Sequence, residues 1–161
     1  MSDKDILYSL FIAITFLIGI ANWFHARKTA FINTVTSERV KWINKLRENV
    51  SEFCGLTHHW VHTELSEEES NTVLKDIDKV RIFIKLQLNP KDPTDKDLIR
   101  IIDKIPEYTH ESKKEKLKEL INATIISTQD LLKIEWERVK LESKRGEISS
   151  RKGSNRVARR A

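Results

Sequence analysis

The chain holds one cysteine, three prolines, four glycines and two tyrosines in 161 residues, and each scarcity excludes something. A lone thiol, Cys54, rules out an internal disulfide framework and fits a reducing compartment. Glycines at 19, 55, 146 and 153 lie too far apart to cradle a phosphate, so neither a P-loop nor a dinucleotide fingerprint is present. A nucleophile elbow and a cysteine pair are missing as well. Nothing in the chain amounts to a strong catalytic signature, and the expectation is a protein that is not an enzyme and carries no cofactor. Few helix breakers and little aromatic content point to an all-α fold.

One long apolar run is present. Ile6 to Phe24 carries no charge over 19 residues. At 1.5 Å rise per residue that is about 28 Å, just enough to cross a hydrocarbon core of roughly 30 Å. Tyr8 near one end, with Trp23 and Phe24 at the other, match an interfacial aromatic belt. A cleaved signal peptide fits less well, because Met1 to Asp5 holds two aspartates against one lysine instead of a basic leader. Arg27 and Lys28 follow the run, so the positive-inside rule places the N-terminus outside and the bulk of the chain in the cytosol of a cell whose inner membrane it spans once. Ser9/Ala13 and Thr15/Gly19 have the small-xxx-small spacing that permits close approach of a second span.

Charge is localised rather than spread. From Lys144 onward there are seven basic residues (Lys144, Arg145, Arg151, Lys152, Arg156, Arg159 and Arg160) against Glu147 alone, leaving 22 basic and 23 acidic residues before them. The body is close to neutral and the tail makes the whole excess. Residues 144–161 bury too little apolar surface to offset their ordering entropy, and disorder is expected there. Such a tail suits contact with anionic headgroups, inert solvation or, less well in a tethered protein, nucleic acid; with Arg27 and Lys28 its basic residues form the expected membrane-surface set.

Between anchor (1–25) and tail (144–161), residues 26–143 read as a helical body. No glycine or proline interrupts Ile20 to Cys54, where Ile32, Val35, Ile43, Leu46, Val50 and Phe53 recur at helical intervals and Arg39 completes the stripe. The membrane helix is expected to continue through this stretch and to end at Gly55 as a C-cap, with Thr57 to Leu65 as a histidine-rich connection. Ser66 and Glu69 have capping-box spacing before a helix over 67–88. Pro90 and Pro93 stop it, Thr94 is expected to cap a third helix bearing Leu98, Ile101, Ile102 and Ile105, and Pro106 ends that one. A fourth helix is expected from His110–Ser112 to Ser143, with Leu117, Leu120, Ile121, Thr124, Thr128, Leu131 and Val139 on its apolar side. Short connections favour antiparallel neighbours, which makes a three- or four-helix antiparallel bundle. If the third helix leads outward, the fourth can return the tail to the bilayer.

Candidate chemistry centres on Cys54, His58 and His62, which fall at i, i+4 and i+8 and would share one face of an unbroken helix as metal ligands. A helix break at Gly55 would scatter them, and HHxxH lacks the glutamate of a metalloprotease helix. Asp92, Asp95 and Asp97 lack the spacing and glycine of a calcium loop and read as a capped turn. Trp42, Trp60 and Trp136 are expected in the core or at an interface.

Three stretches taken in order, Ser37-Glu-Arg-Val-Lys-Trp42-Ile-Asn-Lys-Leu46-Arg47, Lys85-Leu-Gln-Leu88-Asn89-Pro90 and Ser127-Thr-Gln129 through Lys140, resemble a group of small bacterial membrane proteins of uncharacterised function. The likeness covers about residues 36–142 and implies one N-terminal span, a helical cytosolic part and a bacterial or phage origin. It carries no activity. The leading expectation is therefore a membrane-anchored interaction or assembly module, alone or as an oligomer, with Trp42, Leu46, Phe53, Leu131 and Trp136 as packing or partner anchors. Its rivals are a bilayer-perturbing stress or phage-defence effector and a metal-dependent enzyme using Cys54, His58 and His62.

Overall fold

The computed structural model describes residues 3–109 and 113–148, and among them every regular element is helical. The first, α1, is one unbroken helix over Asp3–His62, 60 residues and about 90 Å long. Its N-terminal part contains the one stretch among the described residues long and apolar enough to cross a membrane, and none of that stretch is buried by the rest of the chain. Ile6, Leu7, Phe11, Phe16 and Leu17 each present half or more of their surface.

Over Ile32–Thr36 α1 adopts π-helical geometry before returning to α from Ser37. A π-turn accommodates one extra residue in the helix and leaves i→i+5 bonding around it. The segment is rich in β-branched residues, Ile32, Thr34, Val35 and Thr36, which crowd a regular turn. Thr34 donates its hydroxyl to the Ala30 carbonyl at 2.8 Å, whereas the buried Thr36 Oγ1 has no partner in the described structure.

Helix α1 does not stop at Gly55. It runs seven residues further to His62, where the extended Thr63 closes it, so the expected cap is corrected and Thr57–His62 belong to the helix instead of a connection. The reason is packing on both sides of the glycine: Phe53, Cys54, Thr57 and Val61 are all buried, and their burial outweighs a penalty of about 1 kcal/mol for glycine in a helix. Nothing lies within 4 Å of a Cβ placed on Gly55, so no close contact demands a glycine there.

Helix α2 (Glu67–Gln87) begins with the expected capping box, Ser66 accepting from the Glu69 N–H while Glu69 accepts from Ser66. Helix α3 (Pro93–Lys104) is capped by Asp92 and not by Thr94. Pro93 fits the first helical position, where no N–H is required, and the Asp92 carboxylate then accepts from the Thr94 N–H at 3.0 Å. A 3-10 turn over Ile105–Tyr108 takes in Pro106. Helix α4 spans Lys114–Arg145. The expected start at His110–Ser112 lies outside the described residues, as do 149–161.

Packing joins the second half of α1 to α2 and α4, and α3 to α4. Phe53, Leu46, Ile84, Leu98, Ile102 and Leu131 are 0% exposed and form one cluster drawn from all four helices. Each such side chain contributes about 1.5–3 kcal/mol relative to exposure. The Trp60 indole N–H donates to the Thr109 carbonyl, Arg39 meets Glu142, and Gly146 lies against Lys28. Lys144 and Arg145, assigned above to the tail, form the last turn of α4, where cations offset the carbonyl end of the helix dipole.

Candidate functional site

The most developed polar constellation sits where the stripe of α1 meets the last third of α4. Arg39 occupies a stripe position between Val35 and Ile43, and its guanidinium faces two acids of α4. Its Nε and Nη2 donate to Glu142 at 3.0 and 3.3 Å, a two-pronged contact, while Nη1 donates to Glu135 at 3.0 Å. Arg138 closes the set, donating from Nε to Glu142 at 3.2 Å and lying 3.7 Å from Glu135. Both glutamates are essentially inaccessible, at 1% and 0% exposure. Two cations thus neutralise two buried anions, which is the condition under which such charges can be held away from water.

Above this network opens a cleft of about 550 Å³ lined by Val35, Arg39, Trp42, Asn89, Asp92 and Arg138, among others. The Trp42 indole N–H donates to the Gln87 carbonyl at 3.1 Å and so closes the C-terminal turn of α2. Asn49 donates to the Gln87 side chain at 3.1 Å. The Asp95 carboxylate accepts from the Asn89 N–H at 2.8 Å, and Asn89 in turn accepts from the Lys91 N–H. The Asp95 carboxylate and the Asn89 carboxamide thus hold the Asn89–Pro93 turn together. Asp97 pairs with Arg100 on its own helix.

Of the expected anchors, Leu46, Phe53 and Leu131 are core residues and Trp42 packs against the core. Trp136 does not: 46% of it is exposed, because it faces away from the side of α4 that buries Glu135 and Val139. The unbroken helix does bring His58 and His62 together, ring centroids 4.2 Å apart. Cys54 does not join them, being buried, and its thiol is pushed up to about 11 by that burial. Among the described residues no group of three His, Cys, Asp or Glu side chains is placed to hold a metal ion. Lys28 lies against Gly146, the residue that follows Lys144 and Arg145, while Arg151, Lys152, Arg156, Arg159 and Arg160 lie outside the described residues.

The glutamates of the network were missed at the level of sequence, yet a signal exists. Thr128, Leu131, Glu135, Val139 and Glu142 follow one another at three- and four-residue steps, so the two acids fall on the buried face of α4 opposite the one cation in the α1 stripe. No protein-family model, curated protein or solved structure matches the chain.

Proposed function

We propose that this chain is a membrane-anchored assembly module: a single span with its N-terminus outside, carrying a cytosolic antiparallel helical bundle that binds a protein partner or further copies of itself. The observation that carries this reading is the continuity of α1, whose apolar part is wholly unburied by its own chain while its second half is the central strut of the packed body. A helix of this kind transmits position rigidly from bilayer to body. Continuing to His62 instead of Gly55, it would extend about 57 Å beyond Phe24. Apolar side chains left exposed on the body, Ile82, Phe83 and Leu86 on α2 and Ile126 and Trp136 on α4, are available as partner anchors. The test is crosslinking in native membranes, followed by affinity purification and mass spectrometry. The expected result is a defined adduct above monomer mass; recovery of monomer alone, without partner, rejects the reading.

A second reading is favoured by one feature of the span. Around Gly19, where nothing lies within 4 Å, runs an open notch lined by Phe11, Ile12, Thr15, Phe16, Ile20 and Trp23. Thr15 satisfies its hydroxyl on the Phe11 carbonyl at 2.9 Å, so the notch is free to take an apolar ridge of another span. Spans assembled this way would make the protein a bilayer-perturbing effector. Induced expression, with any activating signal present, that leaves membrane potential and growth unchanged rejects it.

A further inference from the structure

We propose that the junction between the end of the apolar run and the C-terminus of α4 is a binding surface for anionic lipid headgroups, built by Arg27, Lys28, Lys144 and Arg145. It rests on the reading that Ile6–Phe24 spans a bilayer. The pair Arg27 and Lys28 is separated from the pair Lys144 and Arg145 by 116 positions, from Lys28 to Lys144, and only the fold sets the turns that carry them side by side.

The geometry is set by Gly146. Its φ of +72° ends α4 in left-handed conformation, with its N–H donating to the Glu142 carbonyl at 2.7 Å. A Cβ at this position would stand 3.1 Å from Lys28 Cγ and 3.6 Å from its Cα, so glycine permits the last turn of α4 to lie directly on α1. That contact sets the last turn of α4, which carries exposed Lys144 and Arg145, against the turn of α1 that carries exposed Arg27 and Lys28. Depth follows from helix rise. Lys28 is four residues past Phe24, about 6 Å along the axis, within a headgroup layer of roughly 5–7 Å per leaflet. Arg27 lies 5.7 Å from the Trp23 ring, a cation–aromatic pair at the end of the apolar run where interfacial aromatics sit.

The charge balance favours an anion. A helix C-terminus contributes about half a negative charge, and Glu147 one more. Glu142, the next acid back, is committed to Arg39 and Arg138. Four cations exceed these contributions, and each basic residue near an anionic surface raises association about fivefold. At this depth a headgroup phosphate is already in reach, whereas a soluble polyanion would have to displace the leaflet.

The test uses the full chain reconstituted in phosphatidylcholine vesicles containing trace spin-labelled phosphatidylglycerol or phosphatidylcholine, comparing how strongly each is immobilised at the protein. Phosphatidylglycerol is expected to be preferred about fivefold or more, and 1 M salt to remove most of the preference. The Lys28→Gln/Lys144→Gln/Arg145→Gln variant is expected to lose the preference. A variant with Arg151, Lys152, Arg156, Arg159 and Arg160 all changed to glutamine is expected to keep most of it. Equal immobilisation of the two lipids by the unaltered chain, or a preference lost only in the second variant, overturns the proposal. Circular dichroism monitors folding; if the triple variant unfolds, Lys144→Gln and Arg145→Gln are measured singly, and no decrease in either overturns it. Extraction of the unaltered chain by alkaline carbonate would instead overturn the spanning reading, so the two failures are distinguishable.

Discussion

Arg39 shows how one side chain can govern an interface. Placed among aliphatic neighbours on α1, it is matched by Glu135 and Glu142 on α4 with support from Arg138. Replacing a buried ion set with apolar groups is often neutral, but removing one member leaves an uncompensated charge. Arg39→Met is therefore expected to destabilise the protein by about 3 kcal/mol, since Glu142 at 0% exposure loses its two-pronged partner. The combined Arg39→Met/Glu142→Leu change should recover part of that loss. Thermal melts of the detergent-solubilised chain measure both, and a loss below about 1 kcal/mol for Arg39→Met would contradict the assignment. Cys54 gives a residue-scale prediction about pH. Burial raises its thiol to about 11 from the ordinary 9.0, so the folded state holds its proton more tightly than the unfolded state does. Its contribution is complete below pH 9 and is lost as pH rises toward 11. Cys54→Ala should flatten the decline in melting temperature over that interval. An unchanged slope would mean that the decline has another source.

At the scale of elements, continuity of α1 through Gly55 is the feature most at odds with local signals. Glycine ordinarily marks a helix end, and here the flanking residues outvote it. Since the position is helical, exposed and open, Gly55→Ala is expected to stabilise the protein by about 0.5–1 kcal/mol. A decrease in melting temperature would indicate a strained backbone or a hidden contact. The contrast is Gly146, where a positive φ favours glycine and an added Cβ would stand 3.1 Å from Lys28 Cγ. The π-turn at Ile32–Thr36 yields a sharper test. Because a π-turn is one residue in excess, deleting exposed Asn33 should regularise the helix and leave the body's melting temperature within a few degrees. Deleting exposed Asn44 should instead rotate the downstream stripe by about 100° and unfold the body. Equal effects of the two deletions, read by circular dichroism, would remove the idea that the π-turn absorbs register.

On the scale of the whole molecule, legibility divides by the range of the interaction involved. Ile6–Phe24, the stripe from Ile43 to Phe53 and the Ser66–Glu69 box were readable because hydrophobic length, helical period and capping are local properties, set within a few residues. The cap of α3 was misplaced by two residues, since Asp92 and Thr94 are both competent and the preference turned on Pro93 taking the first helical position. Trp136, expected as a packing or partner anchor, is left outside the core because neighbouring Glu135 takes the buried face. The pairing of Arg39 with acids 96 and 103 residues away could not be read from spacing on either helix alone, because which faces oppose each other is settled only when the helices pack. By itself the sequence determined an apolar helix long enough to cross a bilayer, an all-helical body and a basic end, all consequences of composition and period. Only the tertiary structure decided that α1 passes through Gly55, that two glutamates are buried against Arg39, and that Gly146 settles on Lys28. Those outcomes depend on surfaces from distant parts of the chain, and burial summed over the core exceeds the small local preferences that point the other way.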